Sequence, residues 1–276
     1  MTHMILSDRD SALAIVEASV RIGGRGKPTY KGCLPRRTAY GQCPGAVKSR
    51  DIFPRIPRSE WVELIKEGKG TFLQDLTKDV LPVHDQNGRS LCWMHGSVRA
   101  MELVKIYENQ TPELLSAECA AFMVTGGRDR GGYPDEALDQ LRTKGTCSEA
   151  MWPRNALNDR SAKNGWQLEL PYNVILDWMD VENWEDQMTL AINRIPVSIG
   201  LGWWGHLVCQ LGPELGPNDE PLIIFDNSWG SDWGDNGRGL LNERKGTADL
   251  GAFAPISATF QKRLERFIEI GQAKRM

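Results

Sequence analysis

The stretch DQNGRSLCWMHGSVRAMELVKIYEN, residues 85–109, predicts a long helix that begins close to a cysteine. An apolar stripe recurs there at spacings of three and four residues, formed by Met94, Val98, Met101, Val104 and Tyr107. Serine is a favoured capping residue, and Ser90 is therefore the expected N-cap. The pattern predicts a helix over 92–109 with Cys92 in its first turn.

Two interpretations of Cys92 are open at this point. The cysteine is either a small buried hydrophobic residue or a nucleophile, because the dipole of a helix N-terminus favours an anion and should lower the thiol pKa. Gln86, six residues earlier, is correspondingly either a surface loop residue or a hydrogen-bond donor to an oxyanion. The choice between these interpretations depends on whether the rest of the chain supplies catalytic partners for Cys92.

Composition indicates a globular protein. The 276 residues are 41% hydrophobic and 25% charged, enough to bury a core in one large or two small domains. No apolar run approaches the roughly 20 residues of a membrane helix, and charges interrupt any signal-peptide pattern at the N-terminus. Six cysteines are too few for a disulfide scaffold, although Cys33 and Cys43 are either free thiols or one local disulfide. The four histidines show no metal-ligand spacing, and no metal or cofactor is expected.

Charge is unevenly distributed. The net charge is −3, yet residues 21–58 contain ten Lys and Arg and one acidic residue, Asp51. This basic segment is rich in Gly and Pro, which disfavours long regular elements. It could fold back on the acidic body, reach an acidic partner or remain a solvated loop. No nucleic-acid-binding motif accompanies it, so nucleic acid is not the expected partner.

The order of the periodic segments predicts an α+β fold. Further helices are expected from Pro112 or Ser116 to Gly126, from Pro134 to Gly145, and over WEDQMTLAIN. Short β-rich segments then follow, separated by Gly, Pro, Asn and Asp: PVSIGLGWW, HLVCQLG, PLIIFDNSWG and GRGLLNE. Helices first and strands second indicate a helical lobe and a sheet lobe with a cleft between them.

Two later segments supply partners for a cysteine nucleophile. WWGHLVCQLG places His206 at the head of a predicted strand, where a lone histidine is more often structural than catalytic. DNSWGSDWGDNG, residues 226–237, adds the Asn227 amide, which can hold one imidazole nitrogen, and Trp229, which can shield that bond from water.

The segments DQNGRSLCW, GGYP, GHLV and NSWGSDWGDNG resemble, in that order, the motifs of the papain-like cysteine proteases. The resemblance spans residues 51–260 and implies the two-lobe papain-like fold. It implies that Cys92 attacks the scissile carbonyl to form a thioester, that His206 protonates the leaving amine, and that Asn227 orients His206. Gln86 and the Cys92 backbone N–H then form the oxyanion hole.

The resemblance also implies a substrate-binding surface. Its members are Gly131, Gly132, Tyr133 and Pro134, which match the segment that pairs with an extended peptide and begins the pocket for the second residue before the cut. Leu207 stands where the family often has a smaller residue, which suggests a narrow second pocket. Trp203 and Trp204 either form a wall of the cleft or are partly buried strand aromatics. The expected partner is a protein or peptide substrate, with no membrane.

The sequence departs from the family around the nucleophile. Arg89, Ser90 and Leu91 stand where the family has Cys-Gly-Ser, so a disulfide of secreted members is missing. That fits a reducing compartment, in the cytoplasm or in a particle assembled there. Residues 1–50 are expected to be a basic arm or a divergent propeptide. Residues 261–276 are expected to be a charged, helical tail that is solvated or used for docking.

Three functions remain open from the sequence. The first is a cysteine endopeptidase. The second is a papain-fold structural or interaction subunit of a larger assembly, for example a virus or phage particle, with a vestigial site. The third is an exopeptidase that uses the same thiol and whose arm or tail blocks one end of the cleft.

Overall fold

The computed structural model describes residues 5–6, 32–43, 46–77 and 79–257. Of residues 5–6 it gives the backbone alone. The predicted tail at 261–276 and much of the predicted arm lie outside the described residues.

The helices of the described part precede and follow the cysteine helix. They are α1 (Ser49–Ile52), α2 (Arg58–Gly68), α3 (Leu73–Thr77), α4 (Cys92–Tyr107), α5 (Ala117–Thr125), α6 (Pro134–Thr143), α7 (Trp184–Ile192) and α8 (Glu243–Gly246). Short 3-10 turns occur at Asp159–Ser161, Trp166–Leu168, Leu170–Tyr172 and Pro217–Asp219.

The strands form one mixed sheet. They are β1 (Ile5–Leu6), β2 (Val47–Lys48), β3 (Asp177–Val181), β4 (Val197–Leu201), β5 (His206–Leu215), β6 (Pro221–Asp226), β7 (Arg238–Leu241) and β8 (Gly251–Ile256). Their order across the sheet is β1-β7-β6-β5-β4-β8-β3-β2. The outer pairs β1–β7 and β2–β3 are parallel, and the remaining pairs are antiparallel.

The helix that begins at Cys92 is present, but Ser90 as its N-cap was wrong. The N-cap is Leu91, which makes no side-chain capping bond. Burial explains the difference, because the Leu91 side chain is completely buried in the helical-lobe core while the Ser90 backbone N–H donates to Asp129, 2.8 Å away. Hydrophobic packing therefore outweighs capping at this end of α4.

The next two helices follow their local signals. The Ser116 hydroxyl accepts the Cys119 backbone N–H at 3.1 Å, and α5 ends at Gly126 in the left-handed conformation. Proline begins α6 at its first position, where the missing N–H costs nothing. The resulting α+β architecture confirms the predicted fold class.

Two hydrophobic cores lie on either side of α4. One, in the helical lobe, contains Leu91, Trp93, Met94, Val98, Met101, Leu115, Ala120, Leu138, Leu141 and Trp178. The other, in the sheet lobe, contains Val197, Ile199, Leu201, Trp204, Val208, Phe225, Trp233 and Ala252. Every residue of α4 from Cys92 to Val104 is buried, so the predicted apolar stripe is only one of its buried faces. The other face carries polar side chains toward the sheet.

Candidate active site

Cys92 is the first residue of α4 and lies against the start of β5. It packs with Leu207 and Cys33 in a small buried cluster, and the Leu207 backbone hydrogen-bonds its thiol. Gly96, one turn further along α4, makes this approach possible, because a Cβ there would overlap the Leu207 side chain and lie 3.3 Å from the Val208 carbonyl carbon. The helix and the strand therefore bring Cys92 next to the residue that follows His206.

His206 and Asn227 form a hydrogen-bonded pair at the ends of adjacent strands. His206 begins β5, and Asn227 directly follows β6. The His206 Nε2 and Asn227 Oδ1 atoms are 2.7 Å apart, and both residues are buried. The Trp229 ring lies 4.9 Å from the imidazole, centroid to centroid, which keeps this hydrogen bond out of water.

The bonds around Asn227 determine the histidine tautomer. Its Oδ1 also accepts the Ser228 backbone N–H at 2.8 Å, so the amide oxygen, and not the NH₂ group, faces the imidazole. The Nε2 atom of His206 must then carry the proton and donate it. In the neutral ring Nδ1 is consequently unprotonated, and no hydrogen-bond partner for it occurs among the described residues. Nδ1 is thus free to accept a proton.

Gln86 is buried and is held through both ends of its amide. Its Oε1 accepts the Ser228 hydroxyl at 2.5 Å, and its Nε2 donates to the Arg89 carbonyl. The Gln86 backbone N–H donates to the Ser228 carbonyl at 2.8 Å, which ties this loop to the segment after Asn227. An amide NH₂ has two donors, so one N–H of Gln86 remains beyond its bond to Arg89, and the oxyanion role of Gln86 stays a prediction.

Residues 32–36, named here the covering segment, lie across the site. The Gly132 N–H donates to the Gly32 carbonyl at 3.0 Å, and the Leu34 N–H donates to the Gly132 carbonyl at 2.9 Å. On the other side, the Cys33 N–H donates to the Gly205 carbonyl at 3.1 Å. A Cβ on Gly32 would lie 2.6 Å from the Cys92 Sγ. The covering segment therefore contacts the thiol and bonds to the residues on both sides of it.

Arg36, the last residue of the covering segment, and Arg37, which directly follows it, pair with buried carboxylates. Arg36 donates two hydrogen bonds of 2.7 Å to Asp180, which also accepts the Gly41 N–H at 2.7 Å. Arg37 contacts Asp135, with Nε 3.4 Å from the carboxylate. Sequence reasoning did not single out these four contacts, although the basic segment beside an acidic body was the signal that could have suggested them.

The predicted low pKa of the Cys92 thiol was wrong for this conformation. Burial raises it to about 12, and the backbone hydrogen bonds from Leu207 and Trp93 offset only part of that rise. Burial likewise lowers the His206 pKa to about 4, against the opposing effect of the Asn227 hydrogen bond. Desolvation under the covering segment outweighs the helix dipole, so both groups are neutral near pH 7.

The predicted substrate-binding residues lie around the covering segment. Gly132 pairs with it through both its N–H and its carbonyl, and a Cβ at that position would overlap the Trp93 ring. Gly131 precedes this pairing, while Tyr133 and Pro134 begin α6. Leu207 packs with Cys33, whose Sγ lies 3.1 Å from the position of a Cβ on Gly200. The Cys33 side chain thus packs between Leu207 and Gly200, and the predicted narrow second pocket stays a prediction.

The two adjacent tryptophans differ in exposure. Trp204 is buried in the sheet-lobe core and lies 4.7 Å from the His206 ring, centroid to centroid. Trp203 is partly buried, stacks on Trp204 and donates to the Lys245 carbonyl at 2.8 Å. Trp204 accordingly supports the imidazole from behind.

The sequence is similar to known cysteine proteases. The chain is 25% identical over 186 residues to a cysteine proteinase of Theileria annulata, covering 58% of this chain and 40% of that protein. It is 26% identical over 191 residues to the oryzain gamma chain of Oryza sativa subsp. japonica, covering 57% and 51% respectively. These matches span about half the length of the curated relatives. No family model matches the sequence.

Solved structures share the fold at low sequence identity. Xylellain, a cysteine protease from Xylella fastidiosa, superposes with a TM-score of 0.57 at 16% identity, covering 81% of this chain and 98% of that one. Digestive procathepsin L 3 of Tenebrio molitor superposes with a TM-score of 0.55 at 15% identity, covering 93% of this chain and 83% of that one. The sequence matches are to cysteine proteases, and the solved structures show that the chain has the papain-like fold.

Within the ranges that the structure describes, no helix has both the length and the apolar character needed to cross a membrane.

Proposed function

We propose that the chain is a cysteine endopeptidase that hydrolyses peptide bonds with Cys92, His206, Asn227 and Gln86. The observation that carries the proposal is the contact between Cys92, at the start of α4, and Leu207, the residue after His206. Asn227 is hydrogen-bonded to the Nε2 atom of this histidine. With Nε2 engaged, Nδ1 is the nitrogen left to exchange a proton with the thiol.

In the proposed reaction, His206 Nδ1 carries the proton in both the acylation and the hydrolysis step. The Cys92 thiol gives its proton to His206 Nδ1, and the sulfur forms a bond to the scissile carbonyl carbon. Gln86 and the Cys92 backbone N–H stabilise the oxyanion. The imidazolium then returns the proton to the leaving amine as the C–N bond breaks, which leaves a thioester. Water, deprotonated by the same Nδ1, hydrolyses the thioester and restores the thiol.

We propose further that the described conformation is an inactive, covered form. Supporting observations are the contact of Gly32 with the Cys92 Sγ and the backbone hydrogen bonds of the covering segment to Gly132 and Gly205. Removal of this segment, by cutting or by displacement, hydrates the thiol and the imidazole and restores their ionisation. In this proposal residues 1–50 act as a divergent propeptide.

Cleavage of an unfolded protein substrate by purified wild type and Cys92→Ala tests the activity. Wild type should cleave after the covering segment has been removed, and the variant should not, while its circular dichroism stays unchanged. Cys209→Ala, which removes a buried thiol that stays in the chain once residues 1–50 have gone, is the matched control and should keep wild-type activity. Cleavage by Cys92→Ala at the wild-type rate would refute the mechanism. A peptide library analysed by mass spectrometry separates internal cutting from terminal trimming.

A permanently covered interaction protein is the second candidate, because the anchoring of the covering segment to Asp180 is buried and bidentate. The two proposals differ in one observable. If the chain is an endopeptidase, incubated wild type yields a shortened chain whose new N-terminus lies after residue 36. Cys92→Ala should not be shortened. If the chain is an interaction subunit, both wild type and Cys92→Ala keep the covering segment.

The free state of all six cysteines supports a reducing compartment, such as the cytoplasm or a particle assembled there. Cys119 and Cys147 are free thiols even though their side chains are hydrogen-bonded neighbours.

A further inference from the structure

Arg99 lies on α4, seven residues after Cys92, and its guanidinium is buried in the sheet-facing side of the helix. Nε donates to Asp226 Oδ2 at 2.7 Å, and Nη1 donates to Glu102 Oε2 at 3.1 Å. The remaining donors face the carbonyls of Pro82 at 3.5 Å and Leu81 at 3.3 Å. A guanidinium has five donors in a fixed plane, so one side chain can bond to several separate segments.

The acceptors of Arg99 belong to the segments that carry the site residues. Asp226 is the last residue of β6 and directly precedes Asn227. Leu81 and Pro82 lead into the loop of Gln86, which is itself tied to the segment after Asn227. Arg99 therefore joins the helix of the nucleophile, the strand end that holds the histidine partner, and the oxyanion loop.

The neighbouring charges compensate one another. Asp226 also accepts Arg238 Nε at 2.9 Å, and Glu102 lies 3.0 Å from His84 Nε2. Burial alone would lower the His84 pKa, but the Glu102 carboxylate outweighs it and the pKa is raised. A buried ion pair of this kind adds little net stability compared with apolar packing, but it fixes direction and distance, which apolar packing does not.

We propose that Arg99 is a positioning residue that sets the placement of the His206–Asn227 pair relative to Cys92. The inference rests on the proposed protease function, and it concerns a residue outside the reacting groups. Without the guanidinium, the end of β6 loses its charged link to α4, and Asn227 can shift with the imidazole that it holds. A misplacement of about 1 Å in such a site lowers the rate about 100-fold.

The test compares Arg99→Met and Arg99→Lys in the full-length chain with Val98→Ala as the control. Val98 is the preceding residue of α4 and faces the helical-lobe core, so its truncation destabilises the same helix without touching Asp226. The readout is the NMR signal of the His206 Nε2 proton: its chemical shift and its exchange rate with solvent. This signal reports the bond to Asn227 and does not depend on catalysis.

Arg99→Met should shift this signal and speed its exchange at least tenfold, under conditions where all variants are folded. Val98→Ala should leave both as in wild type. Lysine offers one ammonium and cannot bond to Asp226, Glu102 and the two carbonyls together, so Arg99→Lys should be intermediate and carries the test if the methionine variant does not fold. An unchanged His206 signal in the folded Arg99 variants, or an equal change in Val98→Ala, overturns the proposal.

Peptide cleavage separates this proposal from the protease function itself. In the uncovered enzyme, Arg99→Lys should lower kcat about 100-fold with KM nearly unchanged, because substrate contacts are intact and only the reacting groups move. If wild type shows no Cys92-dependent cleavage while the NMR signal still responds to Arg99, the proposed function fails and the positioning role stands.

Discussion

Replacing Asp180 by Asn should uncover Cys92. Asp180 is completely buried in β3 and accepts three hydrogen bonds of 2.7 Å, two from Arg36 and one from the Gly41 backbone. When the covering segment lifts, Arg36 returns to water. The substitution therefore weakens the covered form much more than the uncovered form.

The magnitude follows from the bonds that are lost. A hydrogen bond to a charged group contributes about 1.5–3 kcal/mol, and an asparagine can still accept one of the three. We expect a loss of about 3 kcal/mol from the covered form, since a factor of ten in an equilibrium constant corresponds to about 1.4 kcal/mol. The uncovered population should accordingly rise on the order of 150-fold.

The assay is the rate of iodoacetamide labelling at each cysteine, followed by peptide mass spectrometry on the full-length chain. When covering and uncovering are faster than alkylation, the labelling rate of Cys92 is proportional to the uncovered population. Asp180→Asn should raise the labelling rate of Cys92 by about 150-fold. Cys209, buried in the sheet away from the covering segment, should keep its slow rate.

Asp186→Asn is the matched control. Asp186 is also a buried carboxylate paired with an arginine, Arg55, at 2.6 Å, but that arginine lies outside the covering segment. The control should lose comparable stability and leave Cys92 labelling unchanged. Equal acceleration in both variants would mean that labelling follows global unfolding, and a wild-type rate in folded Asp180→Asn would refute the anchoring role.

Three further predictions concern the site. The folded state keeps His206 neutral down to about pH 4, whereas the unfolded chain binds a proton at this histidine below about pH 6.5. Unfolding therefore takes up a proton between these two pH values. The free energy of unfolding should accordingly fall by about 2 kcal/mol from this group between pH 7 and pH 4.5. Urea denaturation at both pH values measures it, and an equal fall in His206→Gln would contradict the assignment. Gln86→Ala should lower kcat for peptide cleavage by about 100- to 1000-fold in the uncovered enzyme, and an unchanged kcat would exclude its oxyanion role. Gly132→Ala should destabilise the fold by about 1–3 kcal/mol in urea denaturation, because its Cβ overlaps the Trp93 ring, and a neutral result would show that the ring can move aside.

The sequence predicted the elements whose signals are local. The stripe along α4, the Ser116 cap with Gly126, and the proline at the start of α6 each depend on neighbouring residues. The strands β3 and β8 were not predicted. They pair with each other over five residues, and β8 also pairs with β4 over three, so their partners lie far away in the chain. Their stability comes from those pairings, which a short window of sequence does not contain.

The site was predictable in its residue types and not in its electrostatic state. Cys92, His206 and Asn227 stand in recognisable motifs, but the pKa of Cys92 depends on which residues cover it. Gly32 and Cys33 carry no motif that points to Cys92. Arg99 likewise belongs to no motif, and only the fold places Asp226 and Glu102 beside it.

The attachment of the N-terminal part at two distant places has a practical consequence for following maturation on a gel. Ile5–Leu6 pair with β7 at one edge of the sheet, while the covering segment lies at the thiol. A cut between residues 7 and 31 shortens the chain by a visible amount and leaves residues 32–36 where they are. Loss of mass and gain of a reactive thiol are therefore separate events, and only the second tests the proposed activation.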